Sequence, residues 1–146
     1  MALHMALALI AATSQPAIRL TDIQMHLFYE ASGRLSPDLT QKTDFAGWNV
    51  IIGEGSAAEP ANDLLVTAEL ETAGEAFVKT PLRIAVTSAK GKALASRLCK
   101  TFLIPKGGRV YLPVWIRDAG CIGEVKVDVR FGAQHRSETL ELQCGE

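Results

Sequence analysis

A chain of 146 residues with 48 % hydrophobic content has the size of one domain built on a single core. Its 15 Lys and Arg nearly balance its 16 Asp and Glu; no run of basic residues is dense enough to predict nucleic-acid binding, and no acidic tract suggests a solvated tail. Every apolar run falls short of the roughly 20 residues that a membrane-crossing helix needs.

Residues 1–14 contain no Lys, Arg, Asp or Glu, and Met5 to Ala12 form a short apolar run that ends in small residues. This resembles a secretory signal cleaved after Ser14, leaving residues 15–146 as a single exported domain, periplasmic or secreted. The leading Met1-Ala2-Leu3-His4 lacks the positive charge usual in such a signal, so a plain N-terminal tail is the alternative.

A first strand follows, with Ile23, Met25, Leu27 and Tyr29 on one face and Gln24, His26 and Glu30 on the other. Leu35 to Thr43 is a polar loop around Ser36-Pro37-Asp38. A second apolar stretch, Phe45 to Ile52, closes at Gly53-Glu54-Gly55, and Ser56 to Asn62 forms another loop. Leu64, Val66, Ala68 and Leu70 then alternate with Leu65, Thr67, Glu69 and Glu71, and Leu82, Ile84 and Val86 alternate with Arg83, Ala85 and Thr87. After Lys90-Gly91, the positions of Leu94, Leu98, Phe102 and Ile104 suggest one further strand with a shared face. Beyond Pro105-Lys106-Gly107-Gly108, Val110, Leu112, Val114 and Ile116 alternate with Arg109, Tyr111, Pro113, Trp115 and Arg117.

The C-terminal stretch is a hairpin signal. Val125, Val127, Val129 and Phe131 alternate with Lys126, Asp128 and Arg130, and Gly132-Ala133 suits a two-residue type II′ turn into Gln134 to Gln143. In that register Val125 opposes Leu140, and Cys121 opposes Cys144 at the mouth of the hairpin, close enough for a disulfide. Val127 meets Glu138 less comfortably. Of three cysteines, Cys99 is then left over, and a disulfide agrees with an oxidising, exported setting.

About seven or eight short alternating strands, separated by Gly and Pro and with no long helical run, predict an all-β antiparallel sandwich of immunoglobulin-like type. A small β-barrel is the alternative.

The strongest candidate site is the row Arg109, Tyr111, Pro113, Trp115, Arg117. Two aromatics between arginines can stack on a sugar ring or anchor a protein partner. Pro113 cannot donate to a ladder, which places this strand at a sheet edge, where a second copy of the chain can add as a homodimer, or gives it a bulge. A bulge would instead turn Trp115 into the core. The loop region from Phe45 to Asn62, which contains Gly53 to Pro60, ranks second and is the part an enzyme inhibitor would present.

Catalytic and cofactor signals are weak. Gly53-Glu54-Gly55-Ser56-Ala57 is neither a nucleophile elbow nor a phosphate loop. Cys99 with His26 or His135 is an arithmetically available thiol–imidazole pair. The loop acids Asp38, Asp44, Glu54, Glu59 and Asp63 lack the spacing of a calcium loop, and no histidine has metal-ligand spacing. The expectation is therefore a non-catalytic binding module of the cell envelope without cofactor or metal, contacting its partner through Arg109, Tyr111, Trp115 and Arg117.

Overall fold

In the computed structural model, which describes residues 17–41 and 57–142, the alternating segments form ten strands, and no helix occurs among the described residues. These are β1 (Arg19–Tyr29), β2 (Arg34–Leu35), β3 (Asp63–Glu71), β4 (Ala76–Val78), β5 (Leu82–Ser88), β6 (Ala93–Cys99), β7 (Phe102–Ile104), β8 (Arg109–Ile116), β9 (Gly123–Phe131) and β10 (Gln134–Leu142). All pairings are antiparallel. One sheet has the order β2-β1-β3-β8, a second has the order β10-β9-β5-β6, and β4 with β7 makes a small ribbon.

The period of two drives this arrangement. Ile23, Met25, Leu64, Val66 and Leu70 from the first sheet and Leu82, Ile84, Val86, Val125 and Val127 from the second are almost fully buried in one shared core. Two half-apolar sheets bury their faces against each other in this way, which is the sandwich that the alternation predicts.

The C-terminal hairpin has the expected register. Phe131 pairs with Gln134, and the ladder runs unbroken to Gly123 opposite Leu142. Gly132 takes a φ of 55° while Ala133 stays out of the left-handed region, which fits a type II′ turn. Glu138 does oppose Val127, and it is only half-buried because β10 is an edge strand. The ladder stops at Gly123; Cys121 lies before it in a turn, with a φ of 58°, and Cys144 lies outside the described residues.

One expectation fails. Leu94, Leu98, Phe102 and Ile104 do not share a strand, because the chain breaks at Lys100-Thr101 and passes from β6 to the separate ribbon strand β7. Leu98 is exposed and its neighbour Cys99 is buried instead. The strand expected at Phe45 to Ile52 lies outside the described residues. At the other end of the first sheet Gly108, at a φ of 72°, lets its carbonyl accept a hydrogen bond from the Thr72 amide at 2.8 Å; any Cβ there would collide with the Thr72 carbonyl.

Candidate binding face

In the first sheet β3 lies between β1 and β8. Its even-numbered residues enter the core, so its odd-numbered residues line the outer face. Leu65 sits between His26 and Trp115, Thr67 between Gln24 and Pro113, Glu69 between Asp22 and Tyr111, and Glu71 between Arg19 and Arg109. Although they face outward, Leu65, Thr67 and Glu69 are only 9 %, 8 % and 7 % exposed. They form a buried strip along the middle of that face, a shallow trough between the residues of β1 and β8.

One wall is the row expected from sequence. Tyr111 and Trp115 are 44 % and 45 % exposed on the outward face, with Pro113 half-buried between them. The pairing of β3 with β8 shows no register shift, so Trp115 stands outside the core. The facing wall carries Phe28, whose ring meets that of Trp115 edge-on at 5.8 Å, an aromatic pair worth about 0.5–1.5 kcal/mol. Leu35, 46 % exposed and paired with Phe28, extends this apolar end.

The opposite end is charged and internally neutralised. Arg109 contacts Glu69 at 2.9 Å and also binds Glu71, while Arg19 reaches Glu71 at 3.5 Å. Burial raises the Glu69 carboxyl above its ordinary pKa; Arg109 opposes this, and the charges of Glu71 and Asp22 add to it. Hydrogen bonds to Glu71 and Tyr111 raise Arg109 further above its already high value.

Two polar groups of the trough are of chemical interest. His26 Nδ1 lies 2.8 Å from the Ser36 carbonyl. A carbonyl only accepts, so Nδ1 carries the proton and, in the neutral ring, Nε2 keeps its lone pair. The Thr67 hydroxyl is buried and has no hydrogen-bond partner, a condition that costs about 1–3 kcal/mol.

Pro113 lies at the sheet edge and is accommodated there without loss. The hydrogen bonds of Met25 and Leu27 to the 36–39 segment show that the odd residues of β1 face away from β3. By alternation the even residues of β8 bond to β3, and Tyr111, Pro113 and Trp115 turn their backbone groups outward. Arg97 of β6 reaches across the side of the sandwich and donates to the Pro113 carbonyl at 2.5 Å.

The remaining expected residues are placed differently. Arg117 lies beyond the end of β8 in a turn, exposed, and does not continue the row. Of the Phe45–Asn62 region, only residues 57–62 are described; there the Asn62 carbonyl accepts from Ala119 and Gly120. Cys99 points into the core from the second sheet, while His26 and His135 stand on the outer faces of the two sheets, so no thiol–imidazole pair forms. His135 is instead bound to Asp128, which also accepts from Arg130 at 3.1 Å. Among the described residues no three His, Cys, Asp or Glu gather as metal ligands, and no helix is long and apolar enough to cross a membrane.

Reading the sequence strand by strand missed Phe28, Leu65, Thr67 and Glu69. The available signal was Phe28 on the same period as Gln24 and His26, and the unbroken apolar run Leu64-Leu65-Val66, which marks a strand covered on both faces.

No family model matches the chain, and no curated protein matches it. Among solved structures it is similar to the C-terminal domain of wzt, with 9 % identity over 90 % of this chain and 77 % of that one and a TM-score of 0.46. It is also similar to Pseudomonas fluorescens alkylpurine DNA glycosylase AlkC bound to DNA containing an abasic site analog, with 14 % identity, 87 % and 30 % coverage and a TM-score of 0.43. The chain thus spans less than a third of the glycosylase. Likenesses this distant carry no functional meaning.

Proposed function

We propose that this chain is an exported, non-catalytic binding module whose contact surface is the trough on the outer face of the first sheet. The observation that carries this reading is the pair Tyr111 and Trp115, two large aromatics almost half exposed on one rigid strand above a buried floor. Exposed aromatics held in fixed positions lose little entropy when a ligand packs on them. Arg109 contributes by fixing the charged end of the trough rather than by offering an unpaired cation.

Export is supported by the residues before Gln15, and a Cys121–Cys144 bond by the place of Cys121 just before the hairpin ladder. Among the described residues Cys99 is free, whereas Cys121 is not. Self-association through β8 is a weaker reading, because Pro113 lacks a donor and Arg97 occupies its carbonyl at the middle of that edge.

The test is photo-crosslinking in the cell envelope, with a photoreactive residue at position 111 and a control at Leu98 on the opposite sheet. Adducts formed from position 111 alone support the trough as the contact face. Equal labelling from both positions, or from Leu98 only, argues against it.

A further inference from the structure

We propose a second binding site, on the outer face of the sheet opposite the trough, where Arg83 and Arg130 hold the phosphate group of a small molecule, free or as an ester. Leu82, Ile84 and Val86 send the even positions of β5 into the core, so Arg83 points outward. The ladder sets it directly against Arg130 of β9. His135 of β10 is paired with Arg130 from the other side, so three basic side chains cross three neighbouring strands in one row.

Charges of one sign directly opposite each other on adjacent strands destabilise a sheet. The protein relieves only part of this row. Asp128 accepts from Arg130 at 3.1 Å and also binds His135, whereas Arg83 makes neither a hydrogen bond nor an ion pair. One carboxylate thus serves two of the three basic groups, and a guanidinium is left over beside another. An anion seated between Arg83 and Arg130 turns that repulsion into attraction.

The two arginines flank a depression of about 400 Å³ whose lining includes Pro81, Leu98, Asp128 and Gly132. Leu98 is paired with Arg83 and is exposed, so with Pro81 it offers an apolar wall to the organic part of an ester. The number of oxygens selects the head group. A carboxylate has two, and one guanidinium fork satisfies both. A phosphate monoester presents three terminal oxygens and about two negative charges, enough to engage two forks at once.

The experiment is calorimetric titration of the purified chain with inorganic phosphate, phenyl phosphate and acetate at one fixed ionic strength, paired with thermal melts. Phosphate in at least one form should bind saturably and about tenfold tighter than acetate, and should raise the melting temperature above that in chloride. Arg83→Gln should weaken phosphate binding about tenfold, and in chloride it should melt no lower than wild type, because it removes a like-charge pair and leaves the core intact. Arg83→Lys, which keeps the charge without the fork, should recover only part of the affinity. Lys106→Gln, which removes one exposed charge in the turn before β8, should bind phosphate as wild type does. Tighter binding of phenyl phosphate marks an ester as the ligand, equal binding marks the free ion, and either supports the site. No saturable binding, or acetate bound as tightly as phosphate, overturns the proposal. So does a phosphate-induced stabilisation that Arg83→Gln keeps in full, the mark of general exclusion of phosphate from protein surfaces. A small ion or ester gives no protein adduct with a photoreactive group at Leu98, so this site and the trough can each fail without the other.

Discussion

Gln134 and Leu20 lie 114 positions apart and are joined much as two strands would be, except that a side chain does the joining. The Gln134 amide accepts from the Leu20 N–H at 2.8 Å and donates to the Ile18 carbonyl at 2.8 Å, and Arg136 donates to the Leu20 carbonyl at 3.0 Å. Further along β1, Asp22, Asp38 and Ser36 accept the outward amides of Ile23, Met25 and Leu27. The long edge of β1 is thereby closed by side chains, which removes a template for unwanted pairing and locks one side of the sandwich. Arg97 does the same for β8 on the other side, so each open flank is bridged from the second sheet to backbone of the first.

Replacing Gln134 by Ala orphans the Leu20 amide and Ile18 carbonyl together, and should destabilise the fold by about 1–3 kcal/mol. Gln134→Glu retains the acceptor for Leu20 but sets a carboxylate against the Ile18 carbonyl, so it should rescue little. Urea denaturation of the three proteins measures both effects. A midpoint for Gln134→Ala equal to wild type would mean that the bridge contributes nothing.

Trp115→Ala should cost little stability, about 1 kcal/mol, mostly the lost edge-on contact with Phe28. Val127→Ala, which empties space in the fully buried core, should cost at least as much again. Thermal melts separate the two, and a Trp115→Ala melting temperature depressed as far as that of the core variant would contradict the exposed placement.

Much of this fold is legible in the chain because each strand of the sandwich is amphipathic with period two, and the hairpin from Gly123 to Leu142 follows from one glycine and one pattern. The break after Cys99 is not legible: Leu94, Leu98, Phe102 and Ile104 mimic a single spaced face, and only pairing with β4 pulls Phe102 to Ile104 into a separate ribbon. The wall formed by Tyr111 and Trp115 can be read from one strand. The trough cannot, because its floor and far wall come from β3 and β1, and their adjacency is a property of sheet order rather than of any local pattern. Glu138, awkward against Val127 in sequence, makes sense once β10 is seen as an edge where a carboxylate can reach water.

Two carboxylates should give stability opposite dependences on pH. For Asp128, burial pushes the pKa up, but hydrogen bonds from His135 and Arg130 and their charges outweigh it, and the value falls below the ordinary 3.8. Its contribution is therefore present above 3.8 and is lost as pH falls through the folded-state value. Glu69 is raised above 4.5 by burial, so its contribution is complete below 4.5 and is lost as pH rises through its folded-state value. Urea midpoints against pH should show Asp128→Asn weaker than wild type at neutral pH, with the gap closing in acid. Glu69→Gln should gain on wild type as pH climbs above 4.5. A Glu69→Gln curve parallel to wild type throughout would show that burial of Glu69 does not govern its titration.

Pro113 should keep β8 from pairing with a second copy. Pro113→Thr restores an outward N–H between those of Tyr111 and Trp115, and Arg97→Ala frees the carbonyl beside it. The double variant should form dimers at concentrations where wild type is monomeric, read by light scattering behind a sizing column. Equal masses for the two proteins would remove the edge from consideration.

Thiol counting tests the last link, from hairpin register to compartment. Cys121 stands in the turn just before the ladder of β9 and β10 and is not free, while Cys99 is free and 8 % exposed. Native protein recovered from the envelope should therefore resist alkylation, because its one thiol is buried, and should take up a single label once unfolded without reductant. Reduction should expose two more and lower stability by about 2–4 kcal/mol, as loss of a cross-link closing a loop of this size does. Its intact mass should lack residues 1–14. Three labels without reductant on a full-length chain would place the protein in a reducing compartment, where a Cys121–Cys144 bond would not persist.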